Sequence, residues 1–447
     1  MISYIYKCQA SIFFKIKIRH ARTSFLYRVL LVLAVIPFTS AFAEKSIHRL
    51  PVAPTVFISI PALQRLGLEA NGLIRAASSR VDAAKAGVIS AGAYPNPELE
   101  FAGGHNRARA VGPISGNSFG AYISQRIENP FLRSARIGAA EAAVEATKAG
   151  LDRSRADLAA ALRVRAYELL LRQEIAKVES GVLELMQEIR RRVQVGVETG
   201  ESARFELIKA DAEVLTAKSR KETALLDSLR ARVNLIKLTA GALTNSFEIK
   251  ASLLDHENLP PLEALREEVQ VANPDVSRLL AELNSAYLTT KKERAAVLPS
   301  LQLKFGQQRD PEFAYNVASL NFEIPLFDRR HGPIAVAISE SERLKETLDY
   351  RRFEISQLLE SSWQRKKIAE RRIEMFETGI INQAESALRV AQAAYRFGER
   401  GLLDVLDAQR VLRSVRADLL QARFEYQMAV SEILRLRGQY PKEKITK

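Results

Sequence analysis

Two long stretches of this chain contain no proline, and that exclusion constrains the fold more than any other feature. Residues 131–259 and 334–440 are proline-free, 129 and 107 residues in turn. Proline inside a helix costs about 3 kcal/mol, so its absence over such lengths predicts very long helices. Their content agrees, with Ala, Leu, Glu, Arg, Lys and Gln dominant. Apolar residues recur at helical spacing: Val182, Leu185, Met186, Ile189 and Val193; Leu225, Leu229, Val233 and Ile236; Leu412, Val415 and Leu419. Near the middle of each stretch stands a glycine pair, Gly196 with Gly200 and Gly398 with Gly401. Each stretch therefore reads as two long helices joined by a tight turn at a hairpin tip. The first helix, from about residue 132 to about 195, would be about 100 Å long. No ordinary globular core needs such a helix; coiled coils and ducts do.

The chain is also an internal repeat. Ala70-Asn71 matches Ala272-Asn273 at an offset of 202, and Pro97, Leu99 and Phe101 match Pro299, Leu301 and Leu303. Further on the offset is 198, pairing Gly200 with Gly398, Glu206 with Asp404, Leu207 with Val405 and Ala210 with Ala408. The loss of four residues between these anchors suggests a shorter loop in the second half. That intervening segment alternates with period two. Leu301, Leu303 and Phe305 interleave with Gln302 and Lys304, and Leu320, Phe322 and Ile324 with Ser319, Asn321 and Glu323. The first half offers Leu99, Phe101, Phe119, Ala121 and Ile123 around a Gly-rich loop at residues 103–118. Each half reads helix, strand, loop, strand, long helix, turn, long helix.

A basic segment up to Arg28 precedes the apolar run from Val29 to Ile36, and Ala41-Phe42-Ala43 supplies the small residues that a signal peptidase reads. This predicts a secretory signal cleaved before Glu44. The lone cysteine, Cys8, lies in it, so no disulfide framework or Cys zinc site is expected. Formal charge is +14, and the six Lys and Arg of residues 1–43, with no acid among them, leave +8 on the rest. That charge is spread along helical faces without basic clustering or stacking aromatics, so no nucleic-acid partner is expected. His105 and His331 read as solvated residues, not a metal pair, and no nucleophile–base–orienter set suggests an enzyme. No stretch after the signal reaches the roughly 18 apolar residues of a membrane helix. A soluble sheet capping a coiled coil and a shared membrane barrel are both open to four alternating strands. The secretory signal favours the barrel. Four strands cannot close one, so several copies would be needed, and three would give twelve strands.

Three segments carry a family resemblance: Ala93-Tyr-Pro-Asn-Pro-Glu-Leu-Glu-Phe101, Ile324-Pro-Leu-Phe-Asp-Arg-Arg-His-Gly332, and Tyr395-Arg-Phe-Gly-Glu-Arg-Gly-Leu-Leu-Asp-Val-Leu-Asp-Ala-Gln409. In their order and duplication the chain resembles the TolC family of outer-membrane efflux ducts, the first two segments looking most like its CzcC-type heavy-metal branch. The resemblance implies a mainly α chain with a small β part. Three chains would share a twelve-stranded outer-membrane barrel, continued by an α-helical periplasmic tunnel in a Gram-negative cell. It implies a homotrimer in outer-membrane lipid, a periplasmic adaptor and an RND-type inner-membrane pump, with no cofactor, no metal site and no catalysis. The expected divisions are a signal peptide (1–43), an extended segment (44–60), two repeats (61–259 and 260–440) and a tail (441–447). The cargo expected is divalent heavy-metal cations, with multidrug efflux or type I protein secretion as alternatives. A periplasmic adaptor protein is the more distant alternative, since it would have one hairpin and no full duplication.

The tip residues gain meaning from that resemblance. Tyr395, Arg400 and Glu206 match positions that hold the periplasmic entrance shut, and Asp404 and Asp407 match acids that line it. Three apart at a helix start, Asp404 and Asp407 share a face, and threefold symmetry would make each a ring of carboxylates. Lys209 stands where the first repeat would need a second acid. Ordinary surface acids favoured by a helix N-terminus remain the alternative reading of this pair.

Overall fold

The structure, a computed structural model, describes residues 56–107, 109 and 112–441. The expected signal peptide, Cys8, most of the extended segment and most of the tail lie outside the described residues. The element order is β1 (Val56–Ile58), α1 (Ile60–Ala70), α2 (Gly72–Gly92), β2 (Glu98–Asn106), β3 (Gly116–Ile127), α3 (Pro130–Glu198), α4 (Arg204–Leu238) and β4 (Phe247–Ile249). Then come α5 (Leu262–Ala272), α6 (Pro274–Ala295), β5 (Leu301–Arg309), β6 (Ala314–Phe322), α7 (His331–Met375), α8 (Ile381–Arg396) and α9 (Leu402–Leu436). A π-helical turn, Phe376–Ile380, links α7 to α8.

The helices form a single layer of four columns. α3 is one unbroken column of 69 residues, about 100 Å long. α2 and α4 flank it on one side, α6 and α9 on the other, and α7 with α8 packs beyond them. Two columns are built from separate helices stacked end to end, and the same device makes both joints. Asn71 caps α2 by accepting from Leu73 N (2.8 Å), while its amide donates to the carbonyl of Leu238 at the end of α4 (3.0 Å). Asn273 caps α6 by accepting from Asp275 N (2.9 Å) and donates to the carbonyl of Leu436 at the end of α9 (2.8 Å). One side chain thus satisfies an orphan donor of one helix and an orphan acceptor of the next. This is the physical content of the Ala-Asn match between the halves.

Packing follows the sequence spacing. On α4, Ala210, Ala217, Ala224 and Ala231 are buried at seven-residue intervals, and these small side chains let α4 lie close against α3. At the joints the core gathers Leu63, Leu162, Leu169, Leu235 and Phe247, where α1 and the parallel β1–β4 pair pack on α3. The Leu225, Leu229 and Val233 stripe of α4 is left uncovered by this chain.

The remaining strands form one antiparallel sheet in the order β2-β3-β5-β6. Its register puts Leu99 opposite Ile123, Ile123 opposite Phe305, and Phe305 opposite Ala318. Leu99, Phe101, Phe119, Ile123, Leu303, Phe305, Leu320 and Phe322 therefore share one face. Glu100, Tyr122, Ser124, Gln302, Lys304, Ser319 and Asn321 share the other. On the apolar face Phe101, Phe119, Phe305, Leu320 and Phe322 are exposed, with no helix of the described residues packed over them. Among the described residues no helix is long and apolar enough to cross a membrane.

Two expectations change in detail. The glycines at 103 and 104 belong to β2, so the connection of the first half shrinks to residues 107–115, against 310–313 in the second. The change of offset is also more than one short loop. The second hairpin spans 22 residues from Leu301 to Phe322 against 29 from Leu99 to Ile127. Its connector to the next helix has eight residues instead of two, and its helical arm 66 instead of 69.

Candidate functional site

The hairpin tips repeat one another bond for bond. After α3, Gly200 N donates to Val197 O (3.3 Å) and Glu201 N to Gly196 O (2.8 Å). After α8, Gly398 N donates to Tyr395 O (3.2 Å) and Glu399 N to Ala394 O (2.9 Å). Both are Schellman turns, and both place glycine in the left-handed region, Gly200 at φ +81° and Gly398 at φ +71°. The other two tip glycines have different reasons. Gly401 caps α9 at φ −78°, which any residue adopts. A Cβ on Gly196 would come 2.7 Å from Ser202 Oγ.

The next helices begin in step. Glu206 follows cap residue Ala203 by three positions, and Asp404 follows Gly401 by three. Each acid sits in a first turn, where unpaired N–H groups and the helix dipole favour negative charge. Below the tips, Val193, Ala210, Leu388, Leu402, Val405 and Leu406 form one core that packs the two hairpins together.

On that core Tyr395 crosses from one hairpin to the other. Its hydroxyl is in hydrogen-bonding contact with Ser202 and Glu206. Burial, and then the negative charge of Glu206, push the Tyr395 hydroxyl above its ordinary pKa, so it stays protonated as a donor. Tyr395 and Glu206 are thus brought together within one chain, with Ser202 as a third member that sequence reasoning did not single out. No local pattern reveals Ser202, because its partner is almost two hundred residues away.

Arg400, in the turn between α8 and α9, points to α9 instead. Its Nη1 stands 3.8 Å from Asp404 Oδ1, and its side chain is 66% exposed. Asp407 pairs with Arg410 at 3.2 Å, and Arg410 continues to Glu213 of α4 at 2.7 Å. Asp404 and Asp407 lie on α9 one turn apart, as their spacing predicts. Arg410 and Glu213, which sequence reasoning did not single out, extend the ionic chain; their spacing, three residues after Asp407 and seven after Glu206, is the signal that could have found them. Among the described residues no group of three or more His, Cys, Asp or Glu could hold a metal ion. His105 Nδ1 contacts Asn117 Oδ1 at 2.9 Å, and His331 opens α7.

Comparison with known proteins places this architecture. A family model described as "Outer membrane efflux protein" matches residues 64–241 and 265–439, one span for each repeat. The cobalt-zinc-cadmium resistance protein CzcC of Cupriavidus metallidurans is 28% identical over 411 residues, covering 90% of this chain and 96% of that protein. The nickel-cobalt-cadmium resistance protein NccC of Alcaligenes xylosoxydans xylosoxydans is 28% identical over 304 residues, covering 66% and 67%. Among solved structures, the transmembrane channel protein CusC superposes with a TM-score of 0.72 at 18% identity, covering 86% of this chain and 93% of that one.

Proposed function

Because this chain belongs to the outer membrane efflux protein family, we propose that three copies close into one exit duct for divalent heavy-metal cations. As a family member it is an outer-membrane protein with a large periplasmic helical part, in a family that serves as the outer-membrane component of tripartite efflux systems. Residues 61–259 and 260–440 are the two repeats of the proposed duct.

The observation that carries closure is the shared order of the two layers. The sheet runs β2-β3-β5-β6 with β2 and β6 as open edges. The helix layer runs in the same order, from the α2–α4 column to the α7–α8 column. Both outer columns leave large apolar residues uncovered: Leu226, Leu229 and Val233 at one edge, Tyr350, Phe353 and Val390 at the other. Open strand edges are not tolerated in lipid. An edge that must meet a different edge gives a heterologous interface, which closes as a ring. Three chains of four strands make twelve, with the apolar face toward lipid and the polar face toward the bore. Each nine-residue strand is about 30 Å long, and at the usual tilt it spans about the 25 Å apolar band of an outer-membrane barrel.

At the periplasmic mouth Tyr395 latches one hairpin to the other through Glu206. Arg400, whose contact with Asp404 is long and exposed, ties to Glu206 of the next copy. Asp404 and Asp407 form two carboxylate rings that favour cations and repel anions. A periplasmic adaptor and an RND-type pump deliver the cargo, and the duct performs no chemistry. Heavy-metal cargo is supported by CzcC and NccC, whose names record resistance to cobalt, zinc, cadmium and nickel. The test is growth of a deletion strain on zinc, cobalt, cadmium, nickel, dyes and antibiotics. Metal sensitivity alone, restored by the intact gene, supports the reading. Sensitivity confined to dyes and antibiotics refutes the cargo.

A further inference from the structure

The polar face of the sheet holds an assembly that the tips do not explain. Tyr122 of β3 lies flat on the sheet and donates its hydroxyl to Gln308 Oε1 of β5 at 2.8 Å. Beneath it stand two glycines. A Cβ on Gly120 would come 2.7–2.9 Å from the Tyr122 hydroxyl and ring, and a Cβ on Gly306 would overlap the ring and the Ala121 carbonyl. Glycine inside a strand weakens it, and its presence at two diagonal positions, Gly120 opposite Gln308 and Gly306 opposite Tyr122, marks a close approach. Here the ring itself makes that approach, resting on the backbones of two strands. Its other face is occupied: Lys304 Nζ stands 4.2 Å from the ring centroid. The same ammonium donates to Glu100 Oε2 of β2 at 2.6 Å.

Three strands thus cooperate to fold one lysine against the wall. Among the described strand residues, the polar face carries four charges: Glu98, Glu100, Arg126 and Lys304. Glu98 opens β2 and Arg126 is next to last in β3, at the ends nearest the helices, while Glu100 and Lys304 stand farther into the sheet.

We propose that Glu100, Lys304 and Tyr122 form a selectivity element of the barrel bore, which cancels a positive charge that would otherwise oppose the passage of divalent cations. The proposal rests on the duct reading above and adds a second control point, distant from the tips. A free ammonium on the wall repels a divalent cation across about one Debye length, roughly 10 Å at 0.1 M salt. With a carboxylate at bonding distance, the pair presents a dipole whose field decays much faster. Tyr122 adds a cation–π contact that keeps the lysine stem along the wall. The glycines below let the ring lie low enough for the lysine to fold over it.

Reversal potentials of purified trimers in planar bilayers under a potassium chloride gradient test this. Glu100→Gln leaves Lys304 unpaired and should lower the cation-over-anion permeability ratio about two-fold or more. Lys304→Gln leaves Glu100 alone and should raise the ratio by a similar factor. The double variant should return to the wild-type ratio. Conducting trimers whose ratio moves in neither single variant overturn the element and leave the duct standing. Should Glu100→Gln fail to assemble, the Lys304→Gln arm decides alone, since an unchanged ratio there refutes the pairing. Trimers that conduct no ions even when Arg400→Ser and Glu206→Gln open the tips overturn the duct, and the element with it.

Discussion

Replacing Phe305 by arginine puts a charge on the apolar face at mid-strand. Phe305 is the fifth of nine residues in β5, with Ile123 and Ala318 directly opposite on the neighbouring strands. It is exposed in the single chain, so water would accept the arginine at almost no cost. Lipid would not. An arginine at the midplane of an outer-membrane barrel costs about 2–4 kcal/mol. That is about 30- to 900-fold in the assembly equilibrium of each chain, and three chains multiply the effect. Val317 supplies the control. It faces Gly306 from β6, at the same height and on the polar face. Val317→Arg adds the same charge to the bore, where water solvates it. The assay is the yield of heat-modifiable trimer from outer membranes, run without boiling on a denaturing gel. Phe305→Arg should lose most of the trimer and Val317→Arg should keep it. Equal yields would refute the assignment of the two faces, and with it the membrane barrel.

Four further outcomes are expected. Asn273→Ala removes a cap and orphans a carbonyl at a joint where Asn273 is 3% exposed; thermal unfolding should show a loss of about 2–3 kcal/mol, larger than for the more exposed Asn71→Ala. Ala240 occupies the left-handed region at φ 50° where the second repeat has Gly438; Ala240→Gly should therefore stabilise by about 1 kcal/mol, whereas Gly438→Ala, whose Cβ would meet Ala272 O and the Pro274 ring at 2.9 Å, should destabilise. Arg400→Ser should raise single-channel conductance without loss of trimer, Glu206→Gln should do nearly the same, and the double variant should add little because both break one link. Asp404→Asn with Asp407→Asn should reduce cation preference and block by trivalent cations without widening the pore, as reversal potentials and blocker titration would read.

The helices were legible because proline exclusion is a backbone rule that tertiary contacts do not override. The apolar sheet face was legible because alternation with period two survives in any environment. What misled was glycine. Gly103 and Gly104 read as loop by propensity, yet pairing with Phe119 and Ser118 draws them into β2. Gly401 read as part of a turn and is an ordinary cap. Conversely, Ala240 gives no sign in sequence that it takes the left-handed position of a Schellman turn, and only the matching Gly438 of the second repeat hints at it. The contacts of Tyr395 with Ser202, and of Tyr122 with Gly306, join residues almost two hundred apart. Such contacts depend on how columns and strands settle beside one another, which no local pattern encodes.

The distribution of ionic contacts along the helices favours the tips, and not the joints, as the place for the proposed gate. Near the joints Asp275 sits at the start of α6 with its side chain only 9% exposed, held by Arg153 of α3 at 3.1 Å, Arg278 of its own helix at 3.1 Å and Arg351 of α7 at 2.6 Å. Burial pushes its carboxyl pKa up, and the three guanidinium groups outweigh burial and hold it below the ordinary carboxylate range. Removing one partner of such a cluster leaves buried charge uncompensated, so the columns are fixed to one another there. At the tips the charges are of the opposite kind. The Arg400–Asp404 contact is long and both side chains are well exposed. Exposed pairs of this sort contribute about 1 kcal/mol or less and weaken further with salt. A duct that must stay closed alone and open on contact with a partner needs rigid columns and weak distal ties. The same four columns provide both, because burial decreases from the joints, where α1, α5 and the β1–β4 pair pack on the columns, to the tips, where a bare hairpin ends in water.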